Sequence, residues 1–221
     1  MLTLVIAEAA VELVPREIEK HPSVRNDARR REIAPSEVLL DRSTHHHAML
    51  RLSDSLKRGR PDLVHLTLLS ITSTPLYRKG EVEVYIHTQQ NLVLRLQPGT
   101  RPPKSYPRFR DLMQKVLSER PTEGLISVSE SSIPSLLKGI QTDLVVGLST
   151  QGKQSSLEEV ATMVLESKRP AVLIGGFSKG HFAPETVVEL DEMVRIHTDP
   201  LDAHIVAARL VYEIEKLKSA M

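Results

Sequence analysis

The last third of the chain alternates short, buried-type apolar runs with helical patterns, and this constrains the fold more than any other feature. Asp143–Ser149 and Ala171–Gly175 read as strands. Between them Leu157, Val160, Val164 and Leu165 recur at helical spacing, with Ser155 and Glu158 placed as a capping box at the helix start. Thr186–Leu190 and Met193–His197 read as two more short strands, and Leu201–Lys218 as a long closing helix. Strands that alternate with helices are joined by crossovers, and crossovers make parallel sheets. The expected fold class is therefore α/β with a parallel sheet.

Upstream the pattern is more mixed. Leu2–Ala7 reads as a buried strand, and Ala9–Val14 has helix-forming composition up to Pro15. Residues 16–36 are charge-rich, include Arg29-Arg30-Arg31, and are expected to form a mobile loop or frayed helix. Ser43–Lys57 reads as a helix with Ala48, Met49, Leu52 and Leu56 on one face. Arg58-Gly59-Arg60-Pro61 is a turn, and the apolar run Asp62–Leu69 reads as a central strand. Glu81–His87 and Leu92–Leu96 both alternate, with polar Thr88–Asn91 between them, which predicts a hairpin. Pro98, Pro102, Pro103 and Pro107, interleaved with Arg101 and Lys104, make a stiff, extended, basic loop. It feeds a helix patterned by Phe109, Leu112, Met113, Val116 and Leu117. Met49 and Met113 fit core filling.

Charge is unevenly distributed. Residues 51–110 hold 11 Lys and Arg against 4 Asp and Glu, whereas the rest holds 18 against 24. A localised basic region matches either a phosphate backbone or an ordinary solvated face. Aromatics make up only 3% of the chain, so base stacking has few candidates: Tyr77, Tyr85, Tyr106, Tyr212, Phe109, Phe177 and Phe182. The absence of cysteine excludes disulfides, thiol nucleophiles and thiolate-bound zinc. The apolar runs are too short for a membrane span, and the amino end lacks a signal-peptide pattern, so a cytoplasmic, membrane-free protein is expected.

Three loops follow the last-third strands: 148–153, 174–180 and 196–201. Ligands of open parallel sheets sit beyond the carboxyl ends of the strands, and glycines there allow close backbone approach. Gly175-Gly176 has the spacing of neither a P-loop nor a dinucleotide fingerprint. On the residues alone, Arg60 and Asp62 fit a surface ion pair in a turn. His45-His46-His47 point in different directions on a helix, and no metal site is expected.

Several motifs taken together are more specific. Gly175-Gly176-Phe177-x-x-Gly180 followed by Pro200-Leu201 and a long helix resembles the cofactor region of SPOUT methyltransferases. Four further motifs, in order and nearly spanning the chain, resemble the EMG/NEP family in its compact archaeal form: Asp41-x-x-x-His45, Arg58-Gly59-Arg60-Pro61-Asp62-x-x-His65, Val84-Tyr85-Ile86-His87-Thr88, and Arg101-x-Pro103-Lys104-x-Tyr106-x-Arg108-Phe109. That family comprises pseudouridine-N1 methyltransferases of small-subunit ribosomal RNA that depend on S-adenosylmethionine.

The resemblance implies a single domain over residues 1–221. A basic RNA-binding portion would lie at about 51–110 and a cofactor portion at about 143–221. It also implies a C-terminal trefoil knot, a βαβ-like insertion carrying the basic residues, a homodimer, and a role in small-subunit biogenesis alongside assembly proteins. Arg60 would grip the target nucleotide, with Asp62 orienting it, and Arg101, Lys104 and Arg108 would contact the RNA. Lys104 stands where the family more often has Arg, which removes a two-pronged contact. The cofactor would be held by Leu148, Ser149 and Thr150; by Gly175, Gly176 and Gly180; and by Arg195, Ile196, His197, Thr198, Asp199 and Leu201. Two alternatives stay open: a non-catalytic rRNA-binding assembly factor, and a SPOUT methyltransferase acting on transfer RNA.

Overall fold

A computed structural model describes residues 1–220. Strand β1 (Leu2–Ala9) is buried along its whole length, as an apolar strand covered on both faces must be. The elements that follow are α1 (Pro22–Arg30), α2 (Arg42–Met49), α3 (Pro61–Thr72), α4 (Pro75–Arg78), β2 (Val82–Thr88), β3 (Leu92–Leu96), α5 (Tyr106–Glu119), β4 (Ile126–Glu130) and α6 (Ile133–Ile140). The last third holds β5 (Leu144–Gln154), α7 (Leu157–Glu166), β6 (Pro170–Gly175), α8 (Pro184–Val187), β7 (Glu192–Arg195) and α9 (Ala203–Ala220). Among the described residues no helix is long and apolar enough to cross a membrane.

The seven strands form one sheet in the order β4-β3-β2-β1-β6-β5-β7. The expected parallel sheet is present: β2, β1, β6, β5 and β7 run parallel to one another. β3 and β4 add an antiparallel edge, with the hairpin registered as Tyr85 opposite Arg95 and Ile86 opposite Leu94. The basic insertion is therefore a hairpin followed by helix α5 and a returning strand. Side chains of β1 alternate between the two faces. Leu4 and Ile6 join a core with α3, α5, α7 and α9, and Val5 and Ala7 join a smaller core with α6. A third cluster ties α1 to α2 through Val24, Ala28, Ala48 and Met49. Met113 is fully buried on α5.

Four segments differ from the sequence expectation. Asp62–Leu69 lies in helix α3 rather than a strand. It packs between β1 and α9, which makes it apolar nearly all round, and Pro61 opens it at its first turn. Thr67 and Thr72 donate back to the Leu63 and Leu68 carbonyls, each at 2.7 Å, which satisfies their buried hydroxyls. Thr186–Leu190 is not a strand, because Pro184 starts the short helix α8 there. Residues 22–30 form an ordered helix: His21 caps it by accepting from the Ser23 amide at 3.2 Å, and its apolar side is buried on α2. Residues 10–14 run extended rather than helical, because Ala10 and Val14 donate to the Gly176 and Val38 carbonyls at 2.8 Å, and such partners override propensity. Two boundaries also shift. Helix α2 stops at Met49, and the capping box of α7 is Ser156 with Glu159, at 3.1 and 2.9 Å.

Candidate cofactor pocket and basic face

The carboxyl ends of β5, β6 and β7 open onto a cavity of about 150 Å³. Its walls combine apolar side chains (Leu148, Ile174, Ile196, Leu201 and Val206) with polar groups from Ser149, Thr150, His197 and Asp199. Phe177 and Phe182 meet edge to face, 5.9 Å between centroids, and form its lip with Ser178, Lys179, Gly180 and His181. An apolar slot with a polar rim suits a flat heterocycle attached to a charged chain, as in S-adenosylmethionine. Gly175 adds to the fit, since a Cβ there would sit 2.9 Å from the Phe177 ring.

Of the cofactor candidates, Leu148, Ser149, Thr150, Gly175, Gly180, Arg195, Ile196, His197, Asp199 and Leu201 line this cavity. Gly176 and Thr198 do not. Gly176 turns inward and exchanges backbone hydrogen bonds of 2.8 Å with Ala7 and Ala10. A Cβ there would meet Ala9 Cα and Ile6 Cγ2 at 2.7 Å, so this glycine permits two chain segments to touch. Thr198 is exposed at a tight turn, where the Asp199 amide donates to His197 Nδ1 at 3.0 Å.

Beside the pocket lies the basic face. Arg60 caps α3, and its backbone amide donates to Ala10 O at 2.9 Å. Its guanidinium donates twice to Asp62, Nε to Oδ1 and Nη2 to Oδ2, each at 2.8 Å. The Asp62 bond, outweighing the effect of burial, holds Arg60 above its ordinary pKa, and the Asp202 and Asp41 carboxylates lie within electrostatic reach. Asp202, one of these carboxylates, stands in sequence between pocket-lining Leu201 and Ala203.

The Pro-rich loop is pinned against the same helix. His65, on α3, bonds Pro103 O at 2.6 Å and stacks on Phe109 at 4.4 Å between centroids. Tyr106 donates to Asp41, and Tyr77 to Thr100 O at 2.8 Å. Burial and its bond to Asp41 push the Tyr106 hydroxyl up, so it remains a donor. Asp41 also caps α2, accepting from Ser43 N at 2.9 Å, and its own amide donates to His45 Nδ1 at 3.0 Å. With Nδ1 accepting, and with burial lowering its pKa, His45 is a neutral core residue.

Arg101, Lys104 and Arg108 emerge exposed from this pinned loop, and none makes an ion pair among the described residues. The structure thus brings Arg60, Asp62 and the loop to one side of α3. Of the aromatic candidates, Tyr77, Tyr85, Phe109 and Phe182 are buried and unavailable as open platforms.

Sequence reasoning named loop 174–180 and Gly180 but did not place His181 and Phe182 at the cavity, and it missed the pair of Lys57 with buried Glu8 (2.9 Å). The signal for Glu8 was a lone carboxylate inside an apolar strand run, which must find partners if buried.

The EMG1/NEP1 methyltransferase family model matches residues 4–215. The small-subunit ribosomal RNA methyltransferase Nep1 of Pyrobaculum neutrophilum is 41% identical over 219 residues, covering 97% of each chain. That of Staphylothermus marinus is 36% identical over 221 residues, covering 98% of this chain and 96% of the other. Among solved structures, Archaeoglobus fulgidus Nep1 bound to S-adenosylhomocysteine superposes with a TM-score of 0.86 at 34% identity, covering 98% of both chains.

Proposed function

Because this chain belongs to the EMG1/NEP1 methyltransferase family, we propose that it transfers a methyl group from S-adenosylmethionine to N1 of a pseudouridine in small-subunit ribosomal RNA. The observation that carries this reading is the adjacency of two features: a cavity built from the irregular middle of β5, where the segment expected as loop 148–153 continues as strand, and from the carboxyl ends of β6 and β7 with their following loops, and a carboxylate-fixed arginine within electrostatic reach of Asp202.

The β5, β6 and β7 ends and the loops beyond β6 and β7 would hold the cofactor, with Leu148, Ile196 and Leu201 available to its apolar part and Ser149, Thr150 and Asp199 to its polar groups. When bound, S-adenosylmethionine supplies an electrophilic methyl group on a sulfonium. The chain's own task is then mostly positioning. Arg101, Lys104 and Arg108 grip the RNA, and Arg60 meets the target base with its guanidinium already aimed by Asp62. In the bound complex pseudouridine N1 would take the methyl group from the sulfonium, which leaves as neutral S-adenosylhomocysteine, with the N1 proton passing to water. Arg60 stabilises the negative charge that develops on the base. The reading includes a knotted C-terminal threading, a homodimer in the cytoplasm and a part in small-subunit biogenesis.

The test uses methyl-labelled S-adenosylmethionine and two stem-loop RNAs that differ only by uridine or pseudouridine at one loop position. Label entering the pseudouridine RNA alone is the expected result. Equal labelling of both overturns N1 chemistry, and no labelling despite binding of both ligands favours a non-catalytic assembly role.

A further inference from the structure

Lys57 lies three residues before Arg60 and makes its contacts against the pocket lip. Its ammonium donates to Glu8 Oε2 at 2.9 Å and to the His181 carbonyl, and it lies 4.5 Å from the centroid of the Phe177 ring. The other Glu8 oxygen accepts from the Ala183 amide at 2.7 Å and from Thr186 Oγ1 at 2.9 Å. One buried carboxylate, only 8% exposed, therefore holds both the lysine and the downstream end of the lip. Gly180 is part of the fit, since a Cβ there would stand 2.9 Å from Lys57 Cε.

The lysine's own backbone is equally constrained. Gln89 donates to Lys57 O at 2.6 Å, and Ser178 Oγ, on the lip, donates to Leu56 O at 3.0 Å. Next along the chain, Arg58 makes a two-pronged pair with buried Glu12 at 2.7 and 2.6 Å. Residues 56–60 and the lip thus hang from the same short stretch, Glu8 to Glu12, and are cross-bonded to each other. Motion of the lip cannot leave the Arg60 segment unaffected unless Lys57 parts from the buried Glu8 carboxylate or from the His181 carbonyl, and leaving a buried carboxylate without its charged partner is unfavourable.

We propose that Lys57 is a positioning residue that locks the pocket lip to the segment carrying Arg60, so that cofactor occupancy and RNA grip reinforce each other. This rests on the proposed function, with the methyl donor in the cavity and RNA at Arg60. Linkage makes the effect reciprocal: whatever factor RNA adds to cofactor affinity, cofactor adds to RNA affinity.

The experiment measures S-adenosylhomocysteine affinity by calorimetry with and without the pseudouridine stem-loop. RNA is expected to tighten binding by about fivefold or more in the wild type. In Lys57→Met the two affinities should converge to within about twofold, while Lys57→Arg, which keeps the charge, should retain most of the coupling. Weaker binding of each ligand in Lys57→Met with an unchanged ratio would mean a merely structural role and overturn the proposal. Hydrogen exchange on the wild-type protein removes dependence on the variant's folding. S-adenosylhomocysteine alone should slow exchange at residues 56–60 as well as 177–183, and protection confined to the pocket loops refutes the coupling. Failure of the wild type to bind S-adenosylhomocysteine at all overturns the proposed function and this inference with it; binding without coupling overturns the inference alone.

Discussion

Replacing Asp62 by Asn separates the part this carboxylate plays in stability from its part in aiming Arg60. The shape is kept, but one of the two 2.8 Å acceptors becomes an amide that cannot receive the guanidinium's second N–H. The side chains of Arg60 and Asp62 are 32% and 42% exposed, so solvent screens the pair and its contribution to stability is about 0–1 kcal/mol. Asp62 also lies in the first turn of α3, where a negative charge adds about 0.3–1 kcal/mol. The summed loss stays below about 2 kcal/mol, and for a chain this long each kcal/mol lowers Tm by about 2–4 °C. The effect on methyl transfer should be larger. An unaimed guanidinium forfeits orientation, and a misplacement of about 1 Å is enough to slow a reaction about a hundredfold. Thermal melting and single-turnover transfer to the pseudouridine stem-loop, run on the same preparation, give both numbers. A single-turnover rate near wild type would refute the aiming role. A Tm drop beyond about 8 °C would show that the pair is structural instead.

Three further outcomes follow from the geometry. Replacing Arg101, Lys104 or Arg108 by Ala should weaken RNA binding regardless of sequence and reduce the slope of log affinity against log salt by about one per residue; an unchanged slope removes that residue from the phosphate contacts. Gly176→Ala should cost about 1–3 kcal/mol in denaturant unfolding, because its methyl meets Ala9 Cα and Ile6 Cγ2 at 2.7 Å, and a neutral result would mean that the crossing segments relax freely. Burial holds His87 below its unfolded value of 6.5, so its contribution to stability is present above that pH and is lost as pH falls through the depressed folded value. Unfolding curves between pH 8 and about 5 should therefore show a decline that flattens in His87→Asn, and equal slopes in both proteins would rule His87 out as the cause.

The parts of the fold that were legible in the sequence are those where one local pattern settles the matter. The alternation at Glu81–His87 and Leu92–Leu96 gave the hairpin, and the runs ending at Ser149 and Gly175 gave strands that reach the cavity, although β5 runs on through the expected loop to Gln154 because Lys153 and Gln154 pair with Val194 and Arg195 after a register shift. Helix α3 was misread because its sequence is apolar nearly all round, exposed Leu66 included, which erases helical periodicity, although Pro61 and Asp62 at its start are helix-opening signals. Residues 22–30 looked like a loop or a frayed helix because their two buried apolar residues, Val24 and Ala28, are sparse among arginines, and only packing on α2 makes them an ordered helix. The Arg60–Asp62 pair spans two residues and could be read from spacing. Glu8 and Lys57 are 49 residues apart and meet only through the β1 bulge and the returning lip, so no local pattern could join them.

The strand order has a consequence for how the protein is made. β1 emerges first from the ribosome, yet one of its two neighbours is β6, with Thr3 opposite Ala171. The hairpin edge and the basic loop can assemble on β2 while that side of β1 still lacks its partner. The apolar edge awaiting β6 is then a liability in a crowded cell, because an unpaired central strand is a ready template for another chain. The third wall of the cavity comes from β7 and the start of α9, so a nascent chain stalled before residue 192 carries an RNA-facing surface without a complete cofactor site. Retention on an immobilised S-adenosylhomocysteine resin would accordingly report that translation has passed the cavity-lining start of α9 at Val206, whereas retention on RNA would not.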